Sequence, residues 1–99
     1  MTVYTLATWH VRPGCEDDFV SAWDELSDWT VQTGYEWSGT LLRDRHEPSR
    51  FVSFGPWPSV DAAERWRLSP GFAERLDRLR ELLVSVEEPG VYDVVLRVS

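Results

Sequence analysis

The spacing of apolar residues constrains the fold of this chain more than any other feature of its sequence. Two spacings occur, in different segments of the chain. Apolar residues at every second position predict strands, and apolar residues spaced three and four apart predict helices. In chain order we predict a strand over 3–11, a helix over 16–29, strands over 37–43 and 51–55, helices over 60–68 and 70–86, and a strand over 91–98. This order predicts an α+β domain with its helices on one face of an antiparallel sheet.

Proline and capping residues mark the ends of the predicted elements. Pro56 and Pro58 bracket Trp57 and predict that the third strand ends before them, because proline cannot donate a ladder hydrogen bond in a central strand. Ser59 is a candidate N-cap, and Pro70 suits the first turn of the last helix. Because the last two helical pieces count as one interrupted helix, the order becomes β-α-β-β-α-β, the ferredoxin-like arrangement.

The outer strands carry apolar residues on both faces of the predicted sheet. In the last strand Tyr92 and Val94 belong to one face and Val95 to the other, and the first strand is similarly two-sided. An antiparallel sheet with one solvated face alternates cleanly between apolar and polar residues. No further element is left to cover the face without helices. We therefore predict that a second copy of the chain covers it in a C2 homodimer.

Length, charge and cysteine content exclude several classes of protein. The 99 residues suffice for one domain, residues 1–99, and the net charge of −7 argues against nucleic acid or an acidic membrane surface as partner. A single cysteine, Cys15, allows no intramolecular disulfide and favours a reducing compartment. No apolar run approaches the roughly 20 residues of a membrane span, and the first residues lack signal-peptide features. We therefore predict a cytoplasmic protein.

Six tryptophans and two histidines are the side chains that stand out as candidates for a site. The tryptophans either fill the core and a subunit interface or line a pocket for a flat ligand, and composition does not decide between the two. By strand alternation His10 faces away from the helices, and His46 lies in a polar turn, so neither is favoured as a pocket base. No ligands stand at metal spacing beside them, so no metal site is predicted.

The second half of the chain carries a family signature. The pattern W-x-S-x-x-A…W…S-P-x-F is matched by Trp57, Ser59, Ala62, Trp66 and the run 69–72. Supporting pieces are the run 12–14 after the first strand and the run 39–44 in the second. By these residues the chain resembles the antibiotic biosynthesis monooxygenase family over nearly its whole length.

The resemblance implies an assembly and a chemistry. In this family two four-stranded sheets close into a dimeric α/β barrel, and each subunit has a pocket between its sheet and its helices. Some members oxygenate aromatic polyketides without metal or flavin, because an electron-rich phenolate can itself reduce oxygen once water is excluded. The resemblance therefore implies a homodimer that binds a small aromatic molecule.

Candidate catalytic residues follow from the same resemblance. The cofactor-free oxygenases place Asn, Tyr and Arg at three positions that correspond here to Ser53, Ala63 and Asp77, and Arg78 adjoins the last. By the resemblance, the signature tryptophans would position the ring, and Ser53 or a nearby Arg would polarise its oxygens. The candidate catalytic residues are therefore Trp57, Trp66, Ser53 and Arg78.

Haem-degrading relatives provide the remaining pocket positions. They place an Asn in the first strand and an iron-ligating His in the last helix, and these positions correspond here to Ala7 and Leu76. Haem without its axial ligand is disfavoured, so no cofactor is expected. The candidate substrate-pocket residues are Ala7, Ala63, Leu76 and Trp37.

Three hypotheses of function stay open from the sequence. The favoured one is a cofactor-independent monooxygenase that oxidises a polycyclic or hydroquinone-like aromatic compound. The second is a non-catalytic dimeric ligand-binding or accessory protein, and the third is an aromatic polyketide cyclase or isomerase on the same fold. The first predicts oxygen uptake that depends on substrate. The second predicts binding without turnover, and the third predicts turnover that does not change when oxygen is removed.

Overall fold

A four-stranded antiparallel sheet with three helices on one face makes up the fold. The computed structural model describes residues 2–98, without the side chain of Glu88. Its elements are β1 (Val3–Val11), α1 (Glu16–Gln32), β2 (Thr40–Arg43), β3 (Arg50–Trp57), α2 (Val60–Arg67), α3 (Pro70–Arg80) and β4 (Leu83–Asp93). The strand order is β2-β3-β1-β4. The predicted α+β, ferredoxin-like fold is confirmed.

Side-chain caps start the two shorter helices. The Ser59 hydroxyl accepts a hydrogen bond from the Ala62 backbone N–H at 3.1 Å at the start of α2. At the start of α3 the Ser69 hydroxyl accepts from the Phe72 N–H at 3.3 Å, and Pro70 occupies the first turn. Each cap satisfies a donor that the helix itself leaves unpaired. The predicted roles of Ser59 and Pro70 are confirmed.

The last helix and the last strand do not have the predicted bounds. α3 ends at Arg80, where the prediction continued the helix to 86. β4 occupies Leu83–Asp93 instead of 91–98, and residues 94–98 follow it outside any strand of the described chain. Both predicted bounds were therefore wrong, although the order of the elements is correct.

A β-bulge explains why the start of β4 resembled a helix. Leu83 lies opposite Val11 and Val86 lies opposite Trp9, so β4 uses one residue more than β1, and Val84 is the extra one. The bulge brings Leu83 and Val86 to the same, helix-facing side of the sheet although they are three residues apart. This spacing imitates that of a helix.

β2 is shorter and β3 longer than predicted. β2 begins at Thr40 instead of 37, and β3 continues through Pro56 to Trp57. The ladder between the two strands ends at the pair Thr40 and Phe54. Pro56 therefore has a neighbouring strand on one side only, and its missing N–H interrupts no central ladder.

The sheet face without helices is largely apolar. Its exposed side chains include Leu42, which is 49% exposed, and Tyr92, which is 54% exposed. Half-buried apolar residues surround them, and the apolar part of the face consists of Tyr4, Leu6, Leu42, Val52, Phe54 and Tyr92. His10, Arg50 and Glu87 form a polar end of the same face. The structure thus has the two-sided apolar sheet that the strand patterns predict.

Candidate functional site

Large side chains close the layer between sheet and helices at both ends of the β1–β3 pair. At one end Trp9 lies opposite Phe51, and Phe19 of α1 is fully buried against both. The ring centroids of Phe19 and Phe51 are 5.0 Å apart. At the other end Val3 lies opposite Trp57, which is only 1% exposed. Both ends are packed as an ordinary core.

Small side chains occupy the two cross-strand pairs between these ends. Ala7 lies opposite Ser53, and Thr5 lies opposite Gly55. The Trp37 ring and the Ser38 carbonyl cover Gly55. Above Ala7 and Ser53 the helices cannot collapse onto the sheet, because the larger residues at either end hold them away from it. The result is a cavity of about 310 Å³ between the sheet and the helices.

Tryptophan and phenylalanine side chains contribute large surfaces to the cavity wall. The wall residues from the helices and from the loop before β2 are Trp23, Leu26, Trp37, Trp66, Phe72 and Leu76. The helix-facing sheet residues on it are Thr5, Ala7, Trp9, Ser53 and Val86. A small volume with apolar, aromatic walls and few polar groups suits a flat organic ligand.

A second bulge in β4 lies at the edge of the cavity. Between the pairs Leu6–Gly90 and Thr8–Glu87, one residue of β1 opposes two of β4, so the ladder is interrupted there. Pro89 and Gly90 border the cavity at this interruption. Bulges are frequent beside active sites because they redirect strand edges.

Hydroxyl groups satisfy the indoles of both signature tryptophans. The Trp57 N–H donates to Thr5 Oγ1 at 3.1 Å, and the Trp66 N–H donates to Thr30 Oγ1 at 3.0 Å. The Thr30 hydroxyl in turn donates to the Leu26 carbonyl at 2.8 Å. These bonds fix the rings, and they leave neither N–H free for a ligand.

Ser53 is a polar residue of the cavity wall whose hydroxyl donor is unused. Its Oγ accepts the Trp9 indole N–H at 2.9 Å, and the side chain is buried. Within the described chain no acceptor is assigned to its hydroxyl hydrogen, which is therefore available to an oxygen atom in the cavity.

Trp37 has the buried indole that lacks a partner. Its Nε1 is the single buried side-chain nitrogen or oxygen without a hydrogen bond in the part of the chain that is described. The ring lies against Gly39 and Gly55, and a Cβ on Gly55 would stand 2.7 Å from Nε1. It also stacks on Trp66, with centroids 6.4 Å apart and planes 20° from parallel. Glycine at 39 and 55 is what gives this ring its place.

Two arginines are the charged residues of the cavity wall. Arg67 lies in the last turn of α2 and Arg80 in the last turn of α3. Among the described lining residues there is no carboxylate, imidazole or thiol. The cavity therefore combines an aromatic interior with positive charge.

The structure places the predicted site residues in the cavity wall, behind the wall or outside the cavity. Those that line the cavity are Ser53, Trp66, Ala7, Leu76 and Trp37. Trp57 and Ala63 lie behind the wall, in a packed cluster with Val3 and Ala62. Arg78 lies outside the cavity, with a 64% exposed side chain, and its guanidinium is 3.8 Å from the Glu25 carboxylate.

Sequence reasoning missed Arg67 and Arg80 as site residues. Acidic and basic residues alternate along these helices, which is typical of a solvated helix face. Trp23 was covered only by the general expectation for the six tryptophans, and Phe72 only by the family signature. The sequence contained one signal for these two arginines as site residues. A basic residue lies in the last turn of each of the two helices α2 and α3.

Charged groups with displaced pKa values lie away from the cavity. The Ser49 hydroxyl, which donates to Glu16 at 2.6 Å, lowers the pKa of that carboxyl. The backbone N–H groups of His46 and Glu47 do the same for the Asp44 pKa. Both carboxylates organise turns at the Phe19 end of the molecule.

Residues 2–98 contain no group of three or more His, Cys, Asp or Glu residues placed to hold a metal ion. No helix among these residues has the length and apolarity that a membrane span requires.

The fold agrees with comparisons to known proteins. The sequence model of the antibiotic biosynthesis monooxygenase family matches residues 2–76, and the chain belongs to this family. A variant of SnoaB, a cofactor-independent oxygenase from Streptomyces nogalater, is 26% identical with a TM-score of 0.85. That alignment covers 97% of this chain and 95% of SnoaB.

More distant structures share the same fold. Rv0793 from Mycobacterium tuberculosis is 21% identical, with a TM-score of 0.81 and 100% of both chains covered. A search of curated protein sequences finds no match.

Proposed function

We propose that the protein is a cofactor-independent monooxygenase that oxidises a polycyclic or hydroquinone-like aromatic compound inside the cavity. The observation that carries the proposal is the cavity with aromatic side chains in its wall over the small pair Ala7–Ser53. Family membership and the similarity to SnoaB support the reaction type. The proposal includes no metal or flavin, because the substrate itself supplies the electrons.

The proposed reaction converts a ring CH₂ between two aromatic rings to a carbonyl. Because the described wall carries no carboxylate or imidazole, the proton passes to a water molecule and leaves a phenolate-like carbanion. The carbanion transfers one electron to O₂, and the two radicals combine into a peroxide. The peroxide O–O bond then breaks with loss of water, so one oxygen atom of O₂ enters the product and the other leaves as water. The protein has to hold the ring, favour its anion and exclude bulk water.

Two of these tasks, holding the ring and favouring its anion, have candidate residues in the cavity wall. Trp66 and Trp37 offer a flat surface to the ring. The free hydroxyl hydrogen of Ser53 donates to the substrate oxygen on which negative charge develops. Trp57, whose centroid is 5.1 Å from that of Trp66, holds this wall from behind and is a positioning residue. Arg78 has no role in this proposal.

A homodimer belongs to the same proposal. A second copy would cover the apolar sheet face around Leu42 and Tyr92, and the exposed apolar residues of 94–98 would contribute to the contact. Light scattering after size exclusion should give twice the mass of the chain, and Leu42→Glu should shift it towards the single-chain mass. A wild-type protein of single-chain mass at micromolar concentration would contradict the dimer. The single Cys15, unpaired, fits a cytoplasmic location.

A non-catalytic binding protein is the second candidate function. It is favoured by Ala63, which is fully buried and offers no phenol where the cofactor-free oxygenases carry a Tyr. In that case the cavity would bind the aromatic compound without consuming oxygen.

Oxygen consumption tests the proposal against this alternative. The protein, freed of metals and flavin, is assayed with anthrone and 1,8-dihydroxyanthrone, which both carry the ring CH₂, beside Ser53→Ala, Trp66→Phe and the surface control Ser21→Ala. We expect uptake above the spontaneous rate for wild type and Ser21→Ala, and at least a tenfold lower rate for Ser53→Ala. Saturable binding of these compounds with no uptake above background would favour the binding protein.

A further inference from the structure

Arg67 and Arg80 bring positive charge to the cavity of an acidic protein. The chain has a net charge of −7, with 17 acidic and 10 basic residues. Yet the charged residues among the described lining side chains are these two arginines. Chance placement on this chain would favour carboxylates at the cavity.

Both guanidinium groups keep hydrogen-bond donors to spare. Arg67 has no hydrogen bond or ion pair to any other residue in the described part of the chain. Arg80 approaches Asp77 at 3.6 Å, but both side chains are more than half exposed, so the pair is weak. Each group can therefore accept an anion without first breaking a strong contact.

The helix dipole does not account for this placement. Basic residues in the last turn of a helix are favourable because the backbone carbonyls point outwards there. Arg65 ends α2 and Arg78 ends α3 in the same way, so the dipole is served by all four residues. Only Arg67 and Arg80 line the cavity. A reason specific to the cavity is needed for these two.

We propose that the cavity selects an aromatic compound carrying a carboxylate, with the ring against the aromatic wall and the carboxylate at Arg67 and Arg80. Guanidinium groups suit carboxylates because their planar donors match the two oxygens. The proposal rests on the proposed function, since it names the substrate class of the same cavity. It assigns Arg67 and Arg80 to specificity and leaves the chemistry to the groups around Ser53.

Equilibrium dialysis with two matched probes tests this selectivity without turnover. 2-Naphthoate and 2-naphthamide have the same ring and nearly the same shape, but only the first is charged at pH 7. At low ionic strength we expect wild type to bind 2-naphthoate about tenfold more tightly, and added salt to reduce this preference. Arg67→Gln and Arg80→Gln should each weaken 2-naphthoate about threefold and leave 2-naphthamide unchanged. Arg65→Gln, which removes the same charge outside the cavity, should preserve the preference.

Several results would overturn the proposal. Equal affinity for the two probes would do so, as would failure of 2-naphthoate to bind at millimolar concentration. Equal weakening of both probes by Arg67→Gln and Arg80→Gln would show a structural role. A loss in Arg65→Gln as large as in Arg67→Gln would assign the preference to overall charge. Oxygen uptake with uncharged anthrone is measured separately, so failure of the charge preference and failure of the oxygenase proposal are distinguishable.

Discussion

The two halves of the layer between sheet and helices are built from the same elements but packed differently. In the half around Phe19, the closed half, large residues of β1 and β3 meet the helices and leave no space. In the half around Trp66, the cavity half, the same two strands carry Ala7 and Ser53, and the surrounding aromatics are only partly buried. The comparison shows how a small domain makes a cavity. A cross-strand pair with small side chains, Ala7 and Ser53, lies between regions of large side chains that keep the helices away from the sheet.

Truncation of an aromatic side chain in each half should separate them most strongly. Phe19→Ala removes a fully buried ring from the closed half and should lower the free energy of unfolding by about 3–5 kcal/mol. Trp66→Ala removes a larger ring that already borders empty space, and should cost roughly 2 kcal/mol. Urea denaturation measures both. Equal losses would mean that the cavity half is packed as tightly as the other.

Replacement of two stacked indoles by Phe sharpens the comparison within the cavity half. Trp66→Phe removes an N–H that is bonded to Thr30, whereas Trp37→Phe removes one that has no partner. Both rings are half buried and lose the same atoms, so the difference in free energy of unfolding should be about 1 kcal/mol. Trp66→Phe should be the less stable variant. If Trp37→Phe is less stable, the Trp37 N–H has a partner in solution.

The pH dependence of stability should come from the closed half. The pKa values of Glu16 and Asp44 are lowered in the folded protein, so both carboxylates stabilise it above their unfolded pKa values. This contribution is lost as pH falls from about 4.5 through the lowered folded values. Chemical denaturation at pH 6 and pH 3 should show a smaller loss in Asp44→Asn than in wild type. An unchanged loss in Asp44→Asn would remove this residue from the account.

The sequence was sufficient for the fold because the apolar periodicities of most segments are unambiguous. It was insufficient at β4, where the bulge at Val84 produced helical spacing from Leu83 and Val86. A bulge is defined by the partner strand, so a pattern within one segment does not contain it. Similarly, Pro56 fits inside β3 only because β2 begins at Thr40, opposite Phe54, and does not extend alongside Pro56. This is a property of the register.

The candidate site was partly visible in the sequence for a related reason. The signature identified Trp66 and, through the resemblance, Ser53, and both line the cavity. The cavity itself depends on pairs such as Ala7 and Ser53, whose opposition requires the strand register. Arg78 and Arg80 are two residues apart, which turns a helical side chain by about 200°, so only a structure decides which one reaches the cavity.

Oxygen uptake by a variant with a filled cavity tests the central claim most directly. Ala7→Leu adds three carbon atoms into the space opposite Ser53, and Ala73→Leu makes the same change on the exposed side of α3 as a control. We predict that Ala7→Leu stays as stable as wild type in urea but loses uptake with anthrone, whereas Ala73→Leu keeps it. A stable Ala7→Leu variant with full activity would show that the reaction takes place elsewhere.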